Sequence, residues 1–304
     1  MPIDPAYREF LADPRNTVLP PPAGIPLYKV RRVADKAMSQ GAFVPLPRVE
    51  DGMVDCGTHA VHYRLYHPAG RETRPVIFFF HGGGFVWGSV ETHDGICRRL
   101  ARRTDAAVIS IDYRLSPETR FSGARDDGLA VIDRVLSQAD ALAIDPACFA
   151  LCGDSAGGQI AISVCAWLVG SGPKPRHLSL FYPTVDPACD SASQTDFAEG
   201  PLLTRSAMIW FWECYLGGTS PSAVQVSDDL LSRFPQTHIV TAENDPLRDE
   251  GEAFAEHLRS LQVPVATHRA PGLIHGFLSL GIAPEAVSHA FSMASDAIRT
   301  ALLS

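Results

Sequence analysis

The sequence predicts an α/β fold built on a mostly parallel sheet with helices on both faces, and three observations predict it. From about residue 60 onward, short β-rich runs alternate with longer helical patterns. Three of those runs, at 75–80, 106–112 and 178–182, are nearly continuous apolar segments, as expected of central strands buried on both sides. The chain has 304 residues, 46% of them hydrophobic and 20% charged, so it can bury a full core, and no shift of composition divides it in two.

Taken in order, residues 1–45 stand outside the alternation, with two helical stretches separated by the breaker run Leu19-Pro20-Pro21-Pro22. The expected strands are Val61 to Tyr66, Pro75 to Phe80, Ala106 to Asp112, Cys148 to Cys152, Leu178 to Tyr182, Thr237 to Ala242 and Val265 to Arg269. Helices are expected over Gly95 to Arg103, Ala124 to Ala139, Ser155 to Gly170, Leu247 to Leu261 and Pro284 to Leu303. Residues 190–220 form a second insertion, rich in aromatics, and with 1–45 it is a candidate cap. Its Met208, Ile209, Trp210, Phe211, Trp212 and Tyr215 read as a helix packing its aromatic side on the core, with one or two rings turned toward a pocket.

The formal charge of −8 gives no basic face for a phosphate backbone, so nucleic acid is not an expected partner. Arg98, Arg99, Arg102 and Arg103 cluster at helical spacing and read as a solvated helix face. The first 19 residues lack a signal-peptide pattern, and no apolar run approaches the ~18 residues of a membrane span, so a cytoplasmic protein without a membrane partner is expected. The seven cysteines show no CxxC pair and no zinc-ligand spacing, and Cys148, Cys152 and Cys165 lie in apolar stretches, as buried thiols in a reducing compartment would.

The strongest chemical signal is Gly153-Asp154-Ser155-Ala156-Gly157, between the strand ending near Cys152 and the helical run that follows. A serine at so sharp a turn projects its hydroxyl above the sheet, and the helix start behind it favours developing negative charge. By itself the pattern reads equally well as a glycine-rich turn with a capping serine. His81-Gly82-Gly83-Gly84, directly after an apolar strand, removes that ambiguity. Acyl transfer builds a full negative charge on oxygen, which needs backbone N–H donors held ready; Gly83, Gly84 and Ala156 are the candidates for that oxyanion hole. His81 reads as a brace for the loop. The GxGxxG and GxxxxGK spacings of nucleotide loops are absent.

A serine hydroxyl must lose its proton to a base, and His275, in Gly272-Leu273-Ile274-His275-Gly276-Phe277, follows the strand Val265 to Arg269. The acid falls between nucleophile and base in chain order. Asp245 lies at the end of the strand Thr237 to Ala242 and also suits the cap of the next helix, while Asp249 lies inside that helix and reads as a loop-bracing carboxylate. His59, His62, His67 and His238 lie in or near strands and read as structural.

The set HGGG at 81–84, Asp112-Tyr113-Arg114-Leu115-Ser116-Pro117-Glu118, GDSAGG at 153–158, Asp245-Pro246-Leu247-Arg248-Asp249-Glu250-Gly251 and His275-Gly276-Phe277 resembles the hormone-sensitive-lipase-like esterases of bacteria. The resemblance runs in order from about residue 60 to the end, and Ser116 stands where that family often has Ala. It implies a carboxylic-ester hydrolase of the α/β-hydrolase fold with an eight-stranded sheet, a helical cap and no cofactor or metal. It also implies Ser155 as nucleophile, Asp245 orienting His275, and Gly83, Gly84 and Ala156 holding the oxyanion. The domain reading is then a cap segment at 1–45 and a catalytic domain at 46–304, with 190–220 contributing to the cap.

The expected partner is a small-molecule ester; oligomeric state is left open, a homodimer included. Phe85 and Trp87 follow the glycines closely and are the candidate substrate-binding residues, with Trp210 and Trp212 expected to close the cleft from above. Together they predict short acyl chains. The rival readings are an amidase or deacetylase with the same triad, and a ligand-binding protein that keeps the fold without the chemistry.

Overall fold

The computed structural model describes residues 2–38, 43–70 and 72–303, so positions 39–42 of the expected cap segment lie outside the described residues. The strands are β1 (Arg48–Asp55), β2 (Ala60–His67), β3 (Arg74–Phe80), β4 (Ala107–Asp112), β5 (Ile144–Asp154), β6 (His177–Phe181), β7 (Gln236–Asn244) and β8 (Val265–Ile274). They form one sheet of eight strands in the order β1-β2-β4-β3-β5-β6-β7-β8. β2 runs antiparallel to β1 and β4, and every pair from β4 across to β8 is parallel.

The helices are α1 (Arg8–Ala12), α2 (Leu27–Met38), α3 (Asp94–Thr104), α4 (Gly123–Ser137), α5 (Ala139–Leu142), α6 (Ala156–Ser171), α7 (Ala192–Asp196), α8 (Arg205–Leu216), α9 (Asp228–Leu231), α10 (Arg248–Ser260), α11 (Phe277–Leu280) and α12 (Pro284–Leu303). Alternation along β3 explains the two cores. Val76, Phe78 and Phe80 point to the face covered by α4, α6 and α10, and Ile77 and Phe79 to the face covered by α3 and α12. A parallel strand covered on both sides has no solvent face, which is why β3 reads as an unbroken apolar run.

Two readings are corrected here. β1 was not among the expected strands: it is an edge strand whose outward side chains are charged, with Arg48 on Glu50 and Asp51 on Arg64 of β2, so it carries no apolar run. The arginines of α3 are not simply a solvated face. Arg98 donates from Nε to Asp94 Oδ2 at 2.6 Å and lies over the Phe43 ring at 4.5 Å. Arg99 lies over Phe291 of α12 and donates from Nη2 to the carbonyl of Leu278 in α11 at 3.0 Å. Their long stems cover apolar surface while their heads cap carbonyls, which docks α3 against the C-terminal helices.

Among the described residues no helix is long and apolar enough to cross a membrane. All seven cysteines are free. The ends of β3, β5, β7 and β8 open at one edge of the sheet, where the crevice of an open α/β sheet forms, and the loop of Gly83 and Gly84, Ser155, Asp245 and His275 follow those ends in turn.

Candidate active site

Ser155 stands between β5 and α6 with φ 53° and ψ −122°. A non-glycine residue there is strained by roughly 1–3 kcal/mol, and it persists only where its surroundings hold it. The holding groups are evident: Ser155 N–H donates to the carbonyl of Phe181 at 2.9 Å, and its own carbonyl accepts from Gly158 at 2.9 Å and Thr184 at 3.2 Å. The hydroxyl is thereby aimed at His275, with Oγ 3.0 Å from Nε2. On the far side of the ring, Nδ1 lies 2.8 Å from Asp245 Oδ2. With the ring proton on Nδ1 donated to the carboxylate, Nε2 is left as the acceptor facing the hydroxyl.

Asp245 is fully buried, and its other oxygen accepts from the Leu247 N–H at 2.8 Å. It therefore both orients the histidine and caps the turn entering α10. Asp249 instead accepts from the Ser193 N–H at 2.8 Å and pairs with Arg248, bracing the 190–220 insertion. Burial pushes its carboxyl up, but the Arg248 guanidinium and the hydrogen bonds outweigh that and hold it below the ordinary value.

Beside the serine lies the loop after β3. Gly83 and Gly84 have φ 117° and 59°, and a Cβ on Gly84 would stand 2.3 Å from the Phe211 ring. Only glycine lets the backbone pass there. The N–H groups of Gly83, Gly84 and Ala156 meet no acceptor among the described residues. Below the loop, Asp154 accepts from the Gly82 N–H at 2.8 Å, tying loop to elbow. Burial works against the charge on Asp154, yet His93 and the Gly82 bond hold its pKa below the ordinary value. His81 is fully buried, accepts the Tyr113 hydroxyl on its carbonyl at 2.6 Å and stacks on that ring at 4.2 Å. Burial and the neighbouring His93 push its pKa down to about 3, so it is a neutral brace.

A cavity of about 530 Å³ opens over these groups. Trp87 lines it; Phe85 does not, and its reading as a substrate-binding residue is corrected. The Phe85 ring stacks on Tyr215 at 3.9 Å and leans on Trp212, so it packs between the loop and α8. Trp210 and Trp212 likewise do not close the cleft: Trp210 packs on Trp87 and Phe211 from outside, and Trp212 is buried beside Phe85. The residues of α8 that face the cavity are Met208 and Phe211, one turn apart.

Sequence reasoning missed most of the opposite wall. Val30, Val33, Ala34, Ala37 and Met38 of α2 line the cavity, and their i, i+3, i+4, i+7, i+8 spacing is the apolar stripe that would have identified them. Leu202, Leu203 and Thr184 complete the floor. Also missed was Glu250, whose buried carboxyl accepts from the N–H groups of Val185 and Asp186 and from the Thr184 hydroxyl at 2.7, 3.3 and 3.2 Å. Burial raises its pKa to about 8 despite those donors. Among the described residues no three His, Cys, Asp or Glu side chains converge as metal ligands would.

The α/β-hydrolase fold family matches residues 77–279. The chain is 35% identical over 263 residues to carboxylesterase NlhH of Mycobacterium tuberculosis, covering 83% of this chain and 80% of that one. It is 32% identical over 250 residues to the ethyl acetate hydrolase of Pseudomonas putida, covering 79% of each. The hyperthermophilic esterase from the archaeon Pyrobaculum calidifontis superposes with a TM-score of 0.88 at 32% identity over the whole of both chains.

Proposed function

Since the chain belongs to the hormone-sensitive-lipase-like branch of the α/β-hydrolase fold family and is a carboxylic-ester hydrolase, we propose that Ser155, His275 and Asp245 carry out its chemistry on esters of short acyl chains. One observation carries the assignment: an unbroken hydrogen-bonded line from the buried Asp245 through His275 to Ser155, at 2.8 and 3.0 Å, beside three N–H groups with no acceptor among the described residues.

In the proposed mechanism Ser155 Oγ attacks the ester carbonyl while His275 Nε2 takes the hydroxyl proton. The carbonyl π electrons move onto oxygen, and the N–H groups of Gly83, Gly84 and Ala156 donate to the oxyanion. Asp245 stabilises the imidazolium without taking its proton. Collapse breaks the bond to the alcohol oxygen, which receives the proton from His275, and leaves an acyl-enzyme. Water, deprotonated by the same nitrogen, attacks the acyl carbon; Ser155 leaves with its proton restored and the carboxylic acid departs.

The short-acyl preference is supported by the bulk around the reacting carbonyl. Trp87 lines the cavity, and Phe211 stands against the Gly84 backbone. Once such a pocket is full, an added methylene no longer gains its ~0.8 kcal/mol on burial. In this reading residues 1–45 and 190–220 form the cap over a catalytic domain at 46–304. The free thiols suit a reducing, cytoplasmic setting.

The test is a rate series on p-nitrophenyl esters from acetyl to palmitoyl, with Ser155→Ala as control and a matched amide for comparison. Fastest turnover between two and eight carbons, lost in the control, supports the proposal. Faster palmitoyl turnover would overturn the chain-length reading. Turnover surviving in folded Ser155→Ala would overturn the mechanism, and a faster amide would overturn the choice of substrate class.

A further inference from the structure

Helix α2 has no buried residue, yet two of its side chains, one turn apart, reach the loop that carries Gly83 and Gly84. Arg31 donates from Nε to the Val86 carbonyl at 2.7 Å and from Nη2 to the Ser116 carbonyl at 2.9 Å. Its Nη1 and Nη2 also grip both oxygens of Glu118, at 2.9 and 2.6 Å. Asp35 Oδ1 accepts from the Gly88 N–H at 3.2 Å. Val86 and Gly88 flank Trp87, so α2 holds the backbone on both sides of that residue. The N–H groups of Val86 and Trp87 both turn back to the Gly83 carbonyl at 3.0 Å. The Ser116 N–H donates to the Phe85 carbonyl at 2.8 Å, so the second acceptor of Arg31 lies in a strand of chain that itself supports the loop.

We propose that Arg31 and Asp35 are positioning residues for ester hydrolysis, fixing from the cap the height at which Gly83 and Gly84 present their N–H groups. The inference rests on the oxyanion reading above. Its physical basis is that preorganised donors help only when held within about 0.5 Å of the productive geometry. The planar five-donor fork of arginine can meet carbonyls on two loops and a carboxylate together, which a lysine ammonium cannot do in one geometry. The ion pair alone would stabilise little, because Glu118 is 60% exposed. The weight therefore falls on the bonds to the Val86 and Ser116 carbonyls.

A cap that merely walls the cavity would alter KM and chain-length preference; a cap that positions the donors alters kcat and the binding of oxyanion-forming inhibitors. The variants are Arg31→Met, Arg31→Lys, Glu118→Gln and Asp35→Leu in the full chain. The readouts are kcat and KM for p-nitrophenyl acetate and butyrate, and the inhibition constant of an alkyl trifluoromethyl ketone, which adds Ser155 Oγ to form a hemiketal oxyanion. We expect Arg31→Met to lower kcat about ten- to a hundredfold and to weaken ketone inhibition by a similar factor, with KM changed less than about threefold. Arg31→Lys should fall between, Asp35→Leu should lose in the same sense, and Glu118→Gln should stay within about twofold of the unsubstituted enzyme. Should Arg31→Met not fold, Asp35→Leu carries the same test. A change confined to KM, or an equal loss in Glu118→Gln, would overturn the inference. If the unsubstituted enzyme hydrolyses esters but is indifferent to the ketone, the oxyanion reading itself fails; if it binds the ketone tightly and Arg31→Met binds it equally, only the positioning role fails.

Discussion

Below the cavity, Ser155, Asp245 and His275 sit on turns at the ends of β5, β7 and β8, nearly or wholly buried and joined to one another. Above it, α2 buries no side chain and leaves Val33 and Tyr28 more than half exposed, while α8 turns Met208 and Phe211 toward the cavity. The lower groups are joined to one another by hydrogen bonds; the upper wall is apolar toward the cavity, and Arg31 and Asp35 of α2 reach from it to the loop that follows β3. On the proposed reading the lower region carries the reaction, and the upper one limits the size of the substrate while its Arg31 and Asp35 steady the loop of Gly83 and Gly84.

The largest expected effect breaks the lower region alone. Ser155→Ala should lower kcat by about four to six orders of magnitude while leaving the far-UV spectrum and melting temperature near those of the parent, since the alanine keeps the elbow's volume. Next comes the choice between carboxylates. Asp245→Asn should cost about 10³- to 10⁴-fold in kcat, because the amide favours the wrong histidine tautomer. Asp249→Asn should cost less than about tenfold, since its partners are Ser193 and Arg248. The reverse ranking in two folded variants would show the acid to be misassigned.

The aromatic side chains that wall the cavity should respond in selectivity instead. Phe211→Ala and Trp87→Ala should each raise the octanoyl-to-butyryl ratio of kcat/KM by about three- to tenfold, by opening room beside the carbonyl. Phe85→Leu, removing a ring that faces Tyr215, should lower stability without moving that ratio. Equal shifts in all three would erase the distinction between wall and packing.

The smallest effect concerns Glu250, which ties Thr184, whose N–H holds the Ser155 carbonyl, to Gln194 of α7. Its folded pKa of about 8 lies above the ordinary 4.5, so the folded state keeps a proton that the unfolded state has lost between those values. The stabilisation is complete below the unfolded pKa and disappears as pH rises through the folded one. Melting temperature should therefore fall between pH 5 and 8 in the parent, and less steeply in Glu250→Gln. Equal slopes would show that the group ionises normally.

What was legible in the sequence follows the same division. Strands buried on both faces read as apolar runs, and the HGGG, GDSAGG and DPLRDEG stretches pointed to Ser155, Asp245 and the loop of Gly83 and Gly84, which stand together beside the cavity, because tight turns need particular residues at particular places. β1 was illegible because its charges, paired within the strand at Arg48 and Glu50 and with β2 at Asp51 and Arg64, leave no apolar run. Phe85 was misread because proximity in sequence to Gly84 does not fix a ring's direction; its backbone at φ 67° and the waiting ring of Tyr215 do. The wall of α2 was present as a stripe, but that stripe meets both the core and an open cavity, and periodicity cannot tell a face meeting a core from a face meeting a ligand.

The sparse burial of α2 also bears on how heat would end activity. Apolar area is the main resource for holding a helix to a domain, and this one commits only the partly buried Leu27, Val30, Ala34 and Met38 beside the polar grips of Arg31 and Asp35. With no side chain of the helix buried, its amides should exchange with solvent before those of β3 or β5. Inactivation temperature and melting temperature are then separate quantities. Repacking the sheet would raise the second and leave the first where it is, and a more heat-resistant catalyst would have to be sought in the first forty residues.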